Sequence, residues 1–279
     1  MNFESLKTEL TDFLLTDEGN FIQPDDAMRE DLIGLQLFDT PLYGVASADD
    51  PLFAQMKDPA VLSETFLFPE QWLEGAKSVI SFFFPISERI RKQNATDFDY
   101  PCDEWLHARI EGQLMNDIFA EYFCRRLQEE GYRAVAPSID VRLIEDIPNF
   151  STNWSERHTA YICGLGTFGM SFGLITEKGV AGRFGSVITD LELPADSRDY
   201  TDIYEYCIKC GLCAAHCPAE AIDPGVPMTQ AKSHLKCMKF QGPIRNAPPR
   251  GKSQRIRYGC GKCQVRVPCE FKRPIKPRQ

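Results

Sequence analysis

The feature that most restricts what this chain can become is a run of cysteines near its carboxyl end. "CIKCGLCAAHCPAEAI" sets Cys207, Cys210, Cys213 and Cys217 in the spacing C-x2-C-x2-C-x3-C-P, the bacterial pattern for ligating a cubane iron-sulfur cluster. Three thiolates within seven residues can wrap three irons of one cubane. Gly211 lets the backbone come close to sulfide, and Pro218 turns the chain away. Cys217 then faces outward, and in two-cluster proteins the cysteine at that place serves the other cubane.

Such an arrangement needs one distant thiolate for the first cluster and three for the second. The rest of the tail supplies four: Cys237 in "HLKCMKF", and Cys260, Cys263 and Cys269 in "YGCGKCQVRVPCE". The resulting assignment gives one [4Fe-4S] cluster Cys207, Cys210, Cys213 and Cys269, and the other Cys217, Cys237, Cys260 and Cys263. Structural zinc also uses C-x2-C pairs, but two four-cysteine zinc sites do not need a three-cysteine run ending in Cys-Pro. Disulfides fit worse, because the eleven cysteines are odd in number and eight of them crowd after residue 206. Cys102, Cys124 and Cys163 stand singly, where a buried cysteine acts as a small hydrophobe, and Cys124 reads as core. The folding of so short a basic segment is expected to depend on its clusters, leaving the apo segment disordered.

Two cubanes with a crossed ligand set form a relay for single electrons, at potentials anywhere from about -700 to +450 mV. Lys209, Lys236, Lys239 and Lys262 near the ligands favour the more negative, reduced state.

The 279 residues, 43% of them hydrophobic, can build an ordinary core in one generous domain or two smaller ones. A polar link, "LPADSRDYTD" from Leu193 to Asp202, separates a body, residues 1–195, from a cluster domain, residues 196–279. The first thirty residues carry Lys7 and Arg29 among many acids, with no basic stretch leading into an apolar run. The strongest apolar run, "VISFFFPI" at Val79 to Ile86, suits a buried strand and is too short for a membrane span. A cytoplasmic protein without a membrane partner is the expectation. From Thr229 to Gln279 fourteen Lys or Arg face the single Glu270, so a surplus of 13 sits on a body that carries -22 of the net -9. Such a tail either docks on an acidic partner or nucleic acid, or folds back on its own body.

"NFESLKTELTDFLL" spaces Phe3, Leu6, Leu10, Phe13 and Leu14 as an amphipathic helix. A turn-rich stretch around Pro41, Gly44, Pro51 and Pro59 follows, then a short helix ending near Gly75 and the apolar strand. Asp103 to Glu130 reads as a long helix stopped by Gly131, and "YRAVAPSIDVRLIE" as one or two short strands. In "YICGLGTFGMSFGLI", Gly164, Gly166 and Gly169 spell G-x-G-x-x-G, the mark of a dinucleotide loop. That loop requires a strand before it and a helix after it. Here the helix "WSERHTAYIC" enters, and a strand-turn-strand through Gly173, Gly179, Gly182 and Gly185 leaves, so a nicotinamide site is not expected. Glycine permits close backbone approach to another segment or to a flat ligand, and both readings stay open.

With its cysteines placed, the chain resembles the epoxyqueuosine reductase family and, more distantly, the corrinoid reductive dehalogenases. The resemblance rests on the cysteine order, on "ERHTAYICGLGTFG" against the family segment E-R-x-x-A-x-x-A-G-L-G-W-x-G, and on "EGAKSVISFFFPI". It implies a nitroreductase-like α/β body with a C-terminal bacterial ferredoxin-like double [4Fe-4S] domain. It also implies cobalamin held beside the first cluster, against which Gly164, Gly166 and Gly169 would lay their backbone. Departures from the family are visible too. The proton-donating aspartate that precedes the E-R pair is missing from "PNFSTNWSER", Met170 and Ser171 replace Lys and Asn, and five residues separate Cys263 from Cys269 where the family has three. The helical-repeat extension of many members is not expected in this short form. Glu156, His158, Asp140 and Glu145 are the substitute donors to weigh, and the sequence selects none of them.

The leading expectation is a reductase in which the clusters feed a corrinoid or a small substrate, supplied by a ferredoxin or flavodoxin type donor. The alternative is a non-catalytic electron carrier or reductive activator of a partner protein. Transfer RNA ranks behind both, since "PPRGKSQRIRYG" offers only Tyr258 as a stacking platform.

Overall fold

Eight successive buried residues, Ser78–Pro85, form the central strand of this computed structural model, which describes residues 2–275. The end of the basic tail, with Lys276 and Arg278, lies outside the described residues. In chain order the elements are helix α1 (Phe3–Thr16), strand β1 (Leu42–Ser47), short helices α2 (Leu52–Gln55) and α3 (Pro69–Trp72), strand β2 (Ser78–Pro85), and helices α4 (Glu88–Asn94) and α5 (Asp103–Glu129). There follow strands β3 (Ala134–Val135), β4 (Glu145–Asp146) and β5 (Ser151–Thr152), helix α6 (Glu156–Ile162), and strands β6 (Gly166–Phe168), β7 (Leu174–Thr176) and β8 (Gly182–Thr189). The cysteine-rich end adds α7 (Leu212–Ala215) and α8 (His234–Arg245).

The sheet runs β1-β2-β8-β3 with every pairing antiparallel, and Phe83 lies opposite Phe184 at its centre. Strand side chains alternate between faces. Ile80, Phe82 and Phe84 therefore meet Met115, Phe119 and Phe123 of α5 and the leucines of α1, while Val79 joins Ile188, Trp154 and Phe66 on the other side. With both faces covered, β2 has no polar side to offer, which is why it reads as an unbroken apolar run. Asn2 caps α1 by accepting from the backbone of Glu4 and Ser5. Gly131, at φ +90, lets the chain leave α5 in the left-handed region that an L side chain resists.

One expectation needs correction. The stretch around Pro41 and Gly44 is strand β1 rather than turn, and Gly44 is there because a Cβ would stand 2.3 Å from the Cys163 carbonyl oxygen. The one or two short strands expected between Tyr132 and Glu145 are the two-residue β3 and the start of β4, separated by a 3-10 turn at Pro137–Ile139.

The basic tail folds back on the acidic body. Arg250 pairs with Asp103, and Arg255 and Arg257 with Glu111, while Arg273 pairs with Asp199 of the polar link. Val265 enters the same core as the α1 leucines. The polar link is itself stitched down, with Asp196 Oδ2 accepting from Val45 N at 2.9 Å and Arg198 donating to Asp50 at 2.7 Å.

Candidate functional site

Two tight turns present the paired cysteines. In the first, Lys209 (φ +53) and Gly211 (φ +75) are left-handed, and α7 starts from Gly211. In the second, Gly261 (φ +68) opens a 3-10 turn, and a Cβ there would lie 1.9 Å from a ring carbon of Trp105. Lys262, 1% exposed, donates from Nζ to Asn94 O at 2.8 Å and Oδ1 at 3.0 Å, tying this turn to the end of α4.

The thiols sort into two neighbourhoods. Burial, and after it the nearby Cys213, Cys207 and Cys210, pushes Cys269 up to about 12; burial, then Cys263, Cys207 and Cys210, does the same to Cys213. Cys260 rises to about 12 through burial and the thiols of Cys263 and Cys237, and Cys263 rises through burial, opposed by the Lys232 charge and reinforced by Cys237 and Cys217. Cys207, Cys210, Cys213 and Cys269 thus interact with one another, as do Cys217, Cys237, Cys260 and Cys263, and Cys213 with Cys263 joins the sets. The donor chemistry fits iron-sulfur clusters: soft thiols, half-buried except for the exposed Cys210, with backbone Ala221 N–H and side-chain Gln241 Nε2 directed at the sulfurs of Cys217 and Cys237. The solitary cysteines are structural: Cys102 caps α5, Cys124 packs against the core, and Cys163 is buried with its thiol on Val79 O.

A cavity of about 1090 Å³ lies between the body and the tail. Cys217, Cys237, Cys260 and Cys263 line it, and no member of the other set does. The open volume thus adjoins the set of Cys217, Cys237, Cys260 and Cys263 rather than that of Cys207, Cys210, Cys213 and Cys269. Gly164, Gly166 and Gly169 are not in its wall either. The missing Cβ of Gly164 would face Ser197 O, that of Gly166 would stand 2.0 Å from Ile175 O, and that of Gly169 would stand 3.1 Å from Ile175 Cδ1. These glycines let the β6–β7 hairpin and the polar link pack closely, as the reading of close approach to another segment has it.

Of the substitute donors, Glu156 stands out. It lines the cavity, both carboxyl oxygens are buried without a hydrogen-bond partner, and burial, reinforced by the charge of Asp117, raises it from 4.5 to about 7. His158 is held down at about 4 by burial and Arg157 and is bonded to Ser155. Asp140 is paired with Arg142 beside a separate cavity of about 370 Å³. Glu145 reaches the large cavity on an exposed strand. Sequence reasoning missed Arg109, Asp117, Arg157 and Arg183 in the wall. Arg109, Gln113 and Asp117 do recur every four residues on α5, a polar stripe visible in the spacing.

Residues 200–223 match the family described as a 4Fe-4S binding domain. The solved epoxyqueuosine reductase of Bacillus subtilis superposes over 98% of this chain and 68% of its own, at 15% identity and a TM-score of 0.52. An epoxyqueuosine reductase solved with a tRNA-Tyr stem loop does so over the same shares, at 16% identity and a TM-score of 0.52. The chain has the epoxyqueuosine reductase fold. Within that fold, the tetrachloroethene reductive dehalogenase of Desulfitobacterium hafniense is 45% identical over 60 residues, which is 21% of this chain and 11% of the dehalogenase. The chain thus spans about a tenth of that curated relative. Among the described residues no helix is long and apolar enough to cross a membrane.

Proposed function

We propose that the chain is an iron-sulfur reductase of the epoxyqueuosine reductase type, in which two [4Fe-4S] clusters carry single electrons to a ligand in the large cavity. One observation carries this reading: the second thiol set forms part of the cavity wall. Cys207, Cys210, Cys213 and Cys269 bind one cluster, and Cys217, Cys237, Cys260 and Cys263 the other. Cys210 is exposed, which supports electron entry at the first cluster from a ferredoxin or flavodoxin type donor and exit from the second. A carrier that only serves a partner protein has no need of a cavity of this size beside its thiols, so the cavity favours a reductase over that alternative. A cytoplasmic location belongs to the same proposal, since reducing compartments keep such thiols unbridged.

Cobalamin is the cofactor the fold family implies, and the residues present fit it. The cavity exceeds the roughly 300–1,000 Å³ of sites for drug-sized ligands, and thiol ligands of a cluster border it. When bound, it would supply a metal centre able to accept single electrons and reduce carbon. The chain's own contribution is a proton. Glu156, half protonated near neutrality, donates from its carboxyl group to carbanion or alkoxide character on the ligand, taking the place of the missing aspartate. Trp154 Nε1 donates to Ser186 Oγ at 3.0 Å and fixes the wall behind it. Transfer RNA, held as a stem loop in one relative, is the lesser reading of the substrate. Tail cations that would meet phosphates are engaged with Asp103, Glu111 and Asp199.

The test is anaerobic reconstitution with iron, sulfide and hydroxocobalamin, followed by metal analysis and reduction by a flavodoxin. The reading predicts bound cobalt whose spectrum shifts on reduction, in wild type and in Glu156→Gln alike. Protein that reduces a partner but retains neither corrinoid nor small substrate would select the carrier instead.

A further inference from the structure

Four arginines reach the large cavity without a carboxylate partner. Arg109, Arg157, Arg183 and Arg245 are all part of its wall. Their contacts are with neutral groups. Arg157 Nη1 donates to Phe172 O at 2.9 Å, Arg183 Nη2 donates to Arg109 O, and the Arg109 and Arg245 guanidinium groups lie 5.2 Å and 4.5 Å from the Tyr258 ring centre. Among the described residues none of the four forms an ion pair, in contrast to Arg250, Arg255, Arg257 and Arg273 of the tail.

The acids of the same wall do not balance them. Asp117 Oδ1 accepts from Gln113 at 2.9 Å, and burial raises the Asp117 carboxyl as it raises Glu156. Burial also lowers Arg109 and Arg157, and Arg183 further through the repulsion of Arg109. A guanidinium nevertheless stays charged in proteins, so three cations meet in the cavity wall with only Asp117 and Glu145 near them and, among the described residues, no ion pair to either. Cations gathered without paired counter-charges repel one another, and a planar fork of donors matches a carboxylate or a phosphate.

We infer that this wall is an oxyanion seat, in which Arg109, Arg157 and Arg183 receive a phosphate or carboxylate group of the cavity's ligand, with Arg245 and Tyr258 at its edge. The inference deepens the reductase reading, on which it rests for the cavity being the ligand site. The group is either the phosphodiester of a corrinoid or an anionic group of the substrate.

The experiment is calorimetric titration of inorganic phosphate, and separately of acetate, into cluster-loaded protein free of corrinoid. Wild type is compared with Arg183→Met, Arg109→Met and the exposed tail control Lys239→Gln. Iron content and circular dichroism verify folding. Phosphate or acetate binding should weaken roughly tenfold or more in each arginine variant and stay unchanged in the control. Repeating the titration with hydroxocobalamin bound separates the sources: displacement of phosphate assigns the seat to the corrinoid, and persistence assigns it to the substrate. Equal binding in wild type and variants, or none in wild type, overturns the seat. Because the readout needs no turnover, that failure is distinct from failure of the reductase reading, which would appear as missing cobalt or missing reduction.

Discussion

Arg257 Nη2 donates to Glu111 Oε1 at 2.7 Å, with the two side chains only 2% and 7% exposed. His107 completes the site: its Nε2 accepts from Met28 N at 3.1 Å, so the ring proton is on Nδ1 and points at Glu111 Oε2, 3.0 Å away. This knot fastens the cluster-bearing tail to α5, and with it one wall of the cavity.

Burial alone would raise Glu111, but hydrogen bonds from His107 and Arg257 hold it at about 2. Its stabilising contribution is therefore fully present above the unfolded value near 4.5 and is lost only as pH falls toward 2. Glu111→Gln leaves Arg257 buried without its counter-charge and should cost about 3–5 kcal/mol. Anaerobic urea denaturation should give the same deficit at every pH from 5 to 8. A deficit that fades within that range would contradict the assignment.

Glu156 has the opposite sign. A carboxyl raised to about 7 favours folding below 4.5, and that contribution is lost as pH rises from 4.5 through about 7. Glu156→Gln should therefore gain on wild type between pH 5 and 8, by up to about 3 kcal/mol at the upper end. Its reduction rate should lose the limb that falls near pH 7 in wild type. An unchanged pH profile would remove Glu156 from the proton's path.

Gly261→Ala tests the second cysteine turn. Its Cβ would collide with Trp105 in a left-handed backbone, where an L side chain costs about 1–2 kcal/mol before any clash. Iron content should fall by about half, as the cluster of Cys260 and Cys263 is lost. Full iron retention would show that the turn tolerates displacement of Trp105.

Cys269→Ala and Cys237→Ala separate entry from exit. Cys269→Ala should block electron uptake from a flavodoxin. Cys237→Ala should leave uptake intact while abolishing reduction in the cavity. Identical phenotypes with both routes closed would contradict the proposed direction of flow.

What could be read from the sequence follows from what is local. Strand β2 was legible because both of its faces are buried, leaving a continuous apolar run, and the 4Fe-4S motif because its ligands lie within a few residues. Strand β1 was hidden because Gly44 answers to Cys163, far along the chain. The arginine wall was hidden for the same reason: Arg109, Arg157 and Arg183 come from α5, α6 and β8 and meet only in the folded protein. The G-x-G-x-x-G run was ambiguous for the same reason: its glycines lie against Ser197 and Ile175, neighbours that only the fold brings to them.

The most direct measurement is metal and sulfide analysis joined to low-temperature electron paramagnetic resonance of the anaerobically reduced wild type. Two clusters predict about eight irons per chain and a signal broadened by coupling between two reduced cubanes. Zinc in place of iron, or four irons with one uncoupled signal, would contradict the paired thiol sets on which the relay depends.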